Sequence, residues 1–95
     1  MNREGMDERE VLLYTRSRSL RCWRAKRLLA RRGYHFEVVE TTNDGLRGLL
    51  KQLTSSDYRR TVPYLFVDHR PVGGFAEIRA CDSSGVLEHL IRDEL

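Results

Sequence analysis

Ninety-five residues, 40% hydrophobic and 33% charged, suffice for one small core and leave no room for a second folded unit. A net charge of +3 is too mild to mark a nucleic-acid binder by itself. No apolar run approaches the roughly 18 residues of a spanning helix, and two cysteines can neither staple a secreted scaffold nor fill a four-thiolate zinc site.

Residues 1–9, with Asn2, Arg3, Glu4, Asp7 and Glu8, read as a flexible lead and not as a signal peptide, so the domain proper is expected at 10–95 in a reducing cytoplasm. The run 10–15 is short and apolar and predicts a buried strand. From Ser19 the period changes. Cys22, Ala25, Leu28 and Leu29 recur at three and four, predicting a helix capped by Ser17 or Ser19 and stopped at Gly33. Residues 34–40, with Phe36, Val38 and Val39, predict a second strand. Leu46, Leu49, Leu50 and Leu53 then predict an amphipathic helix. Beyond a polar stretch at 54–60, residues 62–67 predict a third strand, 68–71 a turn, and Val72 the start of a short strand ended by Gly73-Gly74. From Phe75 the tail is helical, interrupted at 82–85, with Val86, Leu87, Leu90 and Ile91 toward the core. Arg92-Asp93-Glu94-Leu95 is similar to an endoplasmic-reticulum retention signal, but no export signal stands ahead of it. The order β-α-β-α-β-β-α predicts an α/β domain with a four-stranded mixed sheet flanked by helices. Its first two strands should be parallel through a right-handed crossover, and its last two an antiparallel hairpin.

Three stretches go further than the order of elements. Tyr14-Thr15-Arg16, followed by a four-residue slot and Arg24-Ala25-Lys26 with Leu28-Leu29, is the first. Arg60-Thr61-Val62-Pro63 is the second, and Val72-Gly73-Gly74-Phe75-Ala76-Glu77-Ile78 the third. Together, across 10–95, they resemble the glutaredoxin family. The resemblance implies the thioredoxin fold and a glutathione-dependent thiol–disulfide oxidoreductase scaffold. It also implies a C-x-x-C or C-x-x-S slot whose first thiol is the nucleophile. Here the slot reads Ser19-Leu20-Arg21-Cys22, with serine at the attacking position and a thiol only at the resolving one.

The departure matters chemically. A thiol at a helix N-terminus is drawn toward its thiolate by orphan N–H groups and the helix dipole. An alcohol there stays protonated, and Ser19 cannot form a disulfide at all. Cys22, one turn into the helix, is expected to face the core as a small inert hydrophobe, although Arg18, Arg21 and Lys26 surround it with positive charge. Cys81 falls on the last helical stretch and is expected to pack in the core. Whether the two cysteines can pair is open at this point.

By the same resemblance, Arg16 and Arg21 frame the slot, and Arg59 or Arg60 pairs with the C-terminal carboxylate of glutathione. Thr61-Val62-Pro63 presents a cis-proline, and the backbone before it pairs with the cysteinyl residue like an added strand. Gly73 and Gly74 let the ligand come close to the backbone, and Ala76 and Glu77 offer helix N–H groups to the γ-glutamyl carboxylate. Relatives often carry Asp, Ser or Thr at the place of Ala76, so one side-chain contact is expected to be missing. Trp23 is expected as a half-buried shoulder of the helix. His35, His69 and His89 are scattered without ligand spacing, so no metal is expected.

The function implied is a glutathione-binding, glutaredoxin-like protein in which exchange is impaired or lost, either a natural pseudo-enzyme or a Cys-to-Ser variant. Its partners would be glutathione and protein disulfides or mixed disulfides, with neither membrane nor nucleic acid, and the chain is expected to be a monomer. Three alternatives stand beside it: single-thiol chemistry at Cys22, serine-type glutathione transferase chemistry at Ser19, and a non-enzymatic module. The last would use the eight basic residues that residues 16–32 carry without any acid.

Overall fold

Alternation along one strand decides how the sheet is covered. In β1 (Val11–Thr15), Val11, Leu13 and Thr15 are buried while Leu12 and Tyr14 are half-buried on the other side. The computed structural model describes residues 9–53 and 62–92. Within them β1 is followed by α1 (Leu20–Arg31), β2 (Glu37–Glu40), α2 (Asn43–Leu53), β3 (Tyr64–Val67), β4 (Arg70–Gly74), α3 (Phe75–Ser84) and α4 (Val86–Arg92). The strands lie in the order β2-β1-β3-β4, with β1 parallel to β2 and the β1–β3 and β3–β4 pairs antiparallel. This is the thioredoxin-fold arrangement expected from the order of elements.

Each face of the sheet carries its own core. Val11, Leu13, Leu65 and Val67 meet Ala25 and Leu29 of α1, Ile78 of α3, and Leu87 and Ile91 of α4. On the other face Tyr64 and Phe66, with Leu12 and Tyr14 beside them, meet Leu46 and Leu50 of α2 together with Cys22 and Val62. Strand β3 is buried on both faces, which is why residues 64–67 read as a continuous apolar run. An edge-on contact between Tyr14 and Phe66, with ring centroids 5.2 Å apart, stiffens the second core.

Several boundaries differ from the sequence expectation. The second strand was expected over 34–40 but starts at Glu37. Gly33 takes a left-handed φ of +78°, and the Tyr34 N–H then bonds back to the Leu29 carbonyl at 3.2 Å, so Tyr34 closes α1 and does not enter the sheet. Its ring is buried, with the Arg92 guanidinium 4.9 Å from its centroid. Val38 is exposed, β2 being an edge strand. The last hairpin is tighter than expected. Its turn is Asp68-His69 alone, both with positive φ, the geometry a two-residue hairpin loop requires, and β4 begins at Arg70. Pro71 is tolerated in β4 because that strand is an edge. Helices α3 and α4 are separated at Gly85 (φ +84°), so the break is narrower than 82–85. The seven residues of α4 present only Leu87 and Ile91 inward, and Val86 and Leu90 are exposed, contrary to expectation.

Candidate functional site

The slot sits where the chain turns from β1 into α1. Arg18 takes a positive φ of 62°, and Ser19 follows in an extended conformation as the N-cap of α1. Of the two cap candidates it is therefore Ser19 that acts. Its Oγ accepts the Cys22 N–H at 3.2 Å. Ser17 instead donates its hydroxyl to the Glu40 carboxylate at the end of β2. The first turn of α1 holds no acid. Arg16, Arg18 and Arg21 are all exposed, and no acidic side chain among the described residues pairs with them. The helix end is thus a positive, solvent-facing corner with a hydroxyl at its tip.

Cys22 is 1% exposed and packs with Leu46, Leu50, Val62 and Tyr64. Cys81 is partly exposed and lies against the other core, on the opposite face of the sheet, and both thiols are free. The pairing left open by the sequence is therefore not formed. Trp23 is more exposed than a half-buried shoulder, and the Arg27 guanidinium lies 5.3 Å from its ring centroid.

Val62 and Pro63 approach the same corner. Their peptide bond is cis, both residues are buried, and Val62 shares its cluster with Cys22. The pairing of Tyr64 with Gly74 then brings β4 alongside, close enough that a Cβ on Gly74 would stand 3.5 Å from the Pro63 carbonyl oxygen. Gly73 is required for a different reason. Its φ is +144°, and a Cβ there would fall 2.4 Å from Cβ of Glu77. The structure thus gathers Ser19, Cys22, Val62, Pro63, Gly73 and Gly74 at the end of the sheet beside the start of α1. Arg59, Arg60 and Thr61 lie outside the described residues.

Two donors at this corner are already engaged. The Val62 N–H donates to Oδ1 of Asn43 at 3.1 Å, and the Gly74 N–H donates to Oε1 of Glu77 at 2.9 Å. Sequence reasoning did not single out Asn43. An Asn at a helix start reads locally as a capping residue, whereas here Thr42 supplies the cap, its Oγ1 accepting the Gly45 N–H at 3.0 Å. Nothing local signals that the Asn43 amide reaches a residue 19 positions on. Glu77 was foreseen as a backbone donor. Its carboxylate in fact sits at the N-terminus of α3, where the helix dipole favours negative charge.

Among the described residues no group of three His, Cys, Asp or Glu side chains comes together, and no helix is long and apolar enough to cross a membrane. The arrangement offers a cis-proline beside a helix N-terminus, its preceding N–H held by Asn43, and a set of unpaired guanidinium groups. Such a site can hold an extended peptide bearing carboxylates.

The glutaredoxin family profile matches residues 11–72. Glutaredoxin 3 of Escherichia coli K12 is 33% identical over 82 residues, 86% of this chain and 96% of that protein. A glutaredoxin of Pseudomonas aeruginosa is likewise 33% identical over 81 residues, 85% of this chain and 94% of that one. Among solved structures, the solution structure of glutaredoxin from Brucella melitensis has a TM-score of 0.72 at 28% identity, covering 94% of this chain and 96% of its own. The crystal structure of a buckwheat glutaredoxin–glutathione complex shares the fold, with a TM-score of 0.73 at 21% identity over 90% of this chain and 78% of that one.

Proposed function

The chain belongs to the glutaredoxin family, and from that premise we propose that it binds glutathione at the corner between α1 and the cis-proline while its disulfide exchange is impaired. The observation that carries this reading is Ser19 at the attacking position, its Oγ accepting the Cys22 N–H as the helix cap. In exchange, a thiolate attacks one sulfur of a mixed disulfide. A new S–S bond forms, the old one breaks, and glutathione leaves as its thiolate. An alcohol cannot make that bond. The Cys22 thiol could, but it is 1% exposed, so an incoming disulfide cannot reach it in the folded chain.

The binding half of the reading rests on residues that need no thiol. Arg16 and Arg21 offer unpaired positive charge beside the slot. Val62 and Pro63 offer a backbone edge, Gly73 and Gly74 permit close approach, and Ala76 and Glu77 start α3 beside them. Arg59, Arg60 and Thr61 complete the proposed set by their position before Val62. The buckwheat relative was solved as a glutathione complex, which supports the ligand class. Protein disulfides and mixed disulfides would be the reaction partners, a cytoplasmic setting suits the family, and one domain spanning 10–95 acting as a monomer suffices for the reading.

The test compares this chain with Ser19→Cys in a glutathione-coupled disulfide reduction assay. The variant is expected to gain about two orders of magnitude or more, as restoring a missing nucleophile does. Equal rates in the two proteins would overturn the assignment and move the chemistry to Cys22.

A further inference from the structure

A second concave surface lies away from that corner. It is a cleft of about 480 Å³ between α1 and α3, within the range typical of small-molecule sites. Its walls carry Arg24, Arg27 and Arg31 from α1 and Arg79 from α3, with Leu28 and Phe75 as the apolar floor. None of these is a residue of the proposed glutathione site.

The charge in this cleft is uncompensated. Its one acid, Asp82, is held through both oxygens by Arg32, with Nε to Oδ1 at 2.8 Å and Nη2 to Oδ2 at 3.0 Å. That pair neutralises itself and ties α1 to α3. No acid among the described residues answers Arg24, Arg27, Arg31 or Arg79. Four such charges exceed the +3 of the whole 95-residue chain, so the remainder carries a net −1. A basic helix face is ordinarily just solvated, but it then curves outward and intersperses acids. This surface curves inward and has only the one acid that is already bound.

Two of the four guanidinium groups lie over aromatic rings. Arg27 lies 5.3 Å from the Trp23 ring centroid and Arg79 lies 5.7 Å from that of Phe75. A guanidinium resting over a ring face can still donate its N–H groups, and those groups match phosphate oxygens in pairs. Arg24, Arg27 and Arg31 sit at i, i+3 and i+7, so their Cα atoms spread over about 10 Å of helix. A lone phosphate cannot engage such a row, whereas consecutive phosphates can.

We propose that the cleft between α1 and α3 is a binding site for a compact small molecule carrying two or more consecutive phosphate groups. Leu28 and Phe75 provide an apolar surface for whatever the phosphates are attached to. The chemistry is shared by free polyphosphate and by the phosphate tail of a nucleotide.

Calorimetric titration of the full chain at physiological salt tests this, with tripolyphosphate, ATP, sulfate and a single-stranded oligonucleotide as probes. One saturable site per chain is expected, at least about tenfold tighter for tripolyphosphate than for sulfate. ATP equal to tripolyphosphate would identify the phosphates alone as the ligand, and tighter ATP would bring in the apolar floor. Arg24→Gln with Arg31→Gln, and separately Arg79→Gln, should each weaken tripolyphosphate by about tenfold or more. Lys26→Gln, on α1 but outside the cleft, should leave it within about twofold, as a charge that makes no direct contact does when salt screens it. Absence of a saturable site would overturn the proposal. So would equal loss in Lys26→Gln, or an oligonucleotide that binds more tightly than tripolyphosphate.

Discussion

Asn43 holds the backbone donor that an added strand at the cis-proline would need. The Val62 N–H gives its hydrogen bond to Asn43 Oδ1 at 3.1 Å, so glutathione pairing there must first displace the amide. A net intramolecular hydrogen bond is worth about 0.5–1.5 kcal/mol, which corresponds to about 2- to 13-fold in a dissociation constant. Asn43→Ala should therefore strengthen glutathione binding within that range. The substitution leaves the start of α2 capped, because Thr42 and not Asn43 accepts the Gly45 N–H. Asn43→Asp should act oppositely. A carboxylate accepts the same N–H more strongly and adds a negative charge facing an anionic ligand. Calorimetric titration of reduced glutathione into the three proteins, with thermal melts to confirm folding, reads the order Ala tighter than Asn tighter than Asp. An Ala variant that folds normally yet binds no better, or worse, would refute the reasoning and make Asn43 a support for the edge.

Three further outcomes follow from placement. Iodoacetamide should label Cys81 well before Cys22 in the native chain, since Cys81 is partly exposed and Cys22 is sealed in its cluster; after denaturation both should label at similar rates, as mass spectrometry can show. Rapid native labelling of Cys22 would revive single-thiol chemistry. Burial is the main influence that raises the Tyr34 phenol above its ordinary pKa of 10.0, with Glu88 adding to it and Arg92 opposing. The unfolded chain then loses this proton first, so stability should fall as pH rises above about 10, and Tyr34→Phe should flatten that fall in denaturant melts at pH 9 and 11. Gly73→Ala should destabilise the fold by more than about 1 kcal/mol, because a positive φ and a 2.4 Å clash with Glu77 coincide there. An unchanged urea midpoint would count against the β4–α3 junction described.

How much of this could be read beforehand depended on whether a residue's neighbours are local. Val11–Thr15 and Tyr64–Val67 announce themselves because alternation, or continuous burial, is written into consecutive residues. The cap at Ser19 and the stop at Gly33 are equally local. Tyr34 misled because an aromatic beside Phe36 and Val38 looks like strand, while its N–H is taken by Leu29 of the preceding helix. The exposure of Val38 was not legible, because an edge position in the sheet order is not visible in a strand's own sequence. At the site, Ser19 and Cys22 were legible from spacing and resemblance. Asn43 was not, and neither was the Glu77 carboxylate on Gly74, because each depends on where a second segment comes to rest.

The cap at Ser19 has a consequence for the Ser19→Cys variant. A serine N-cap contributes about 0.5–2 kcal/mol to its helix, and here it holds the first turn of α1, on which Cys22 is carried into the core. A neutral thiol is a poorer acceptor for that N–H, so a change to cysteine gives up part of the hold unless the sulfur ionises and lets the helix dipole replace it. Any adduct on that sulfur would remove the charge again. In the cysteine form the grip on the first turn would follow the oxidation state of the site, looser when capped by glutathione and tighter when released. With serine the Oγ cap on the first turn carries no thiol chemistry, so its hold does not depend on the oxidation state of residue 19.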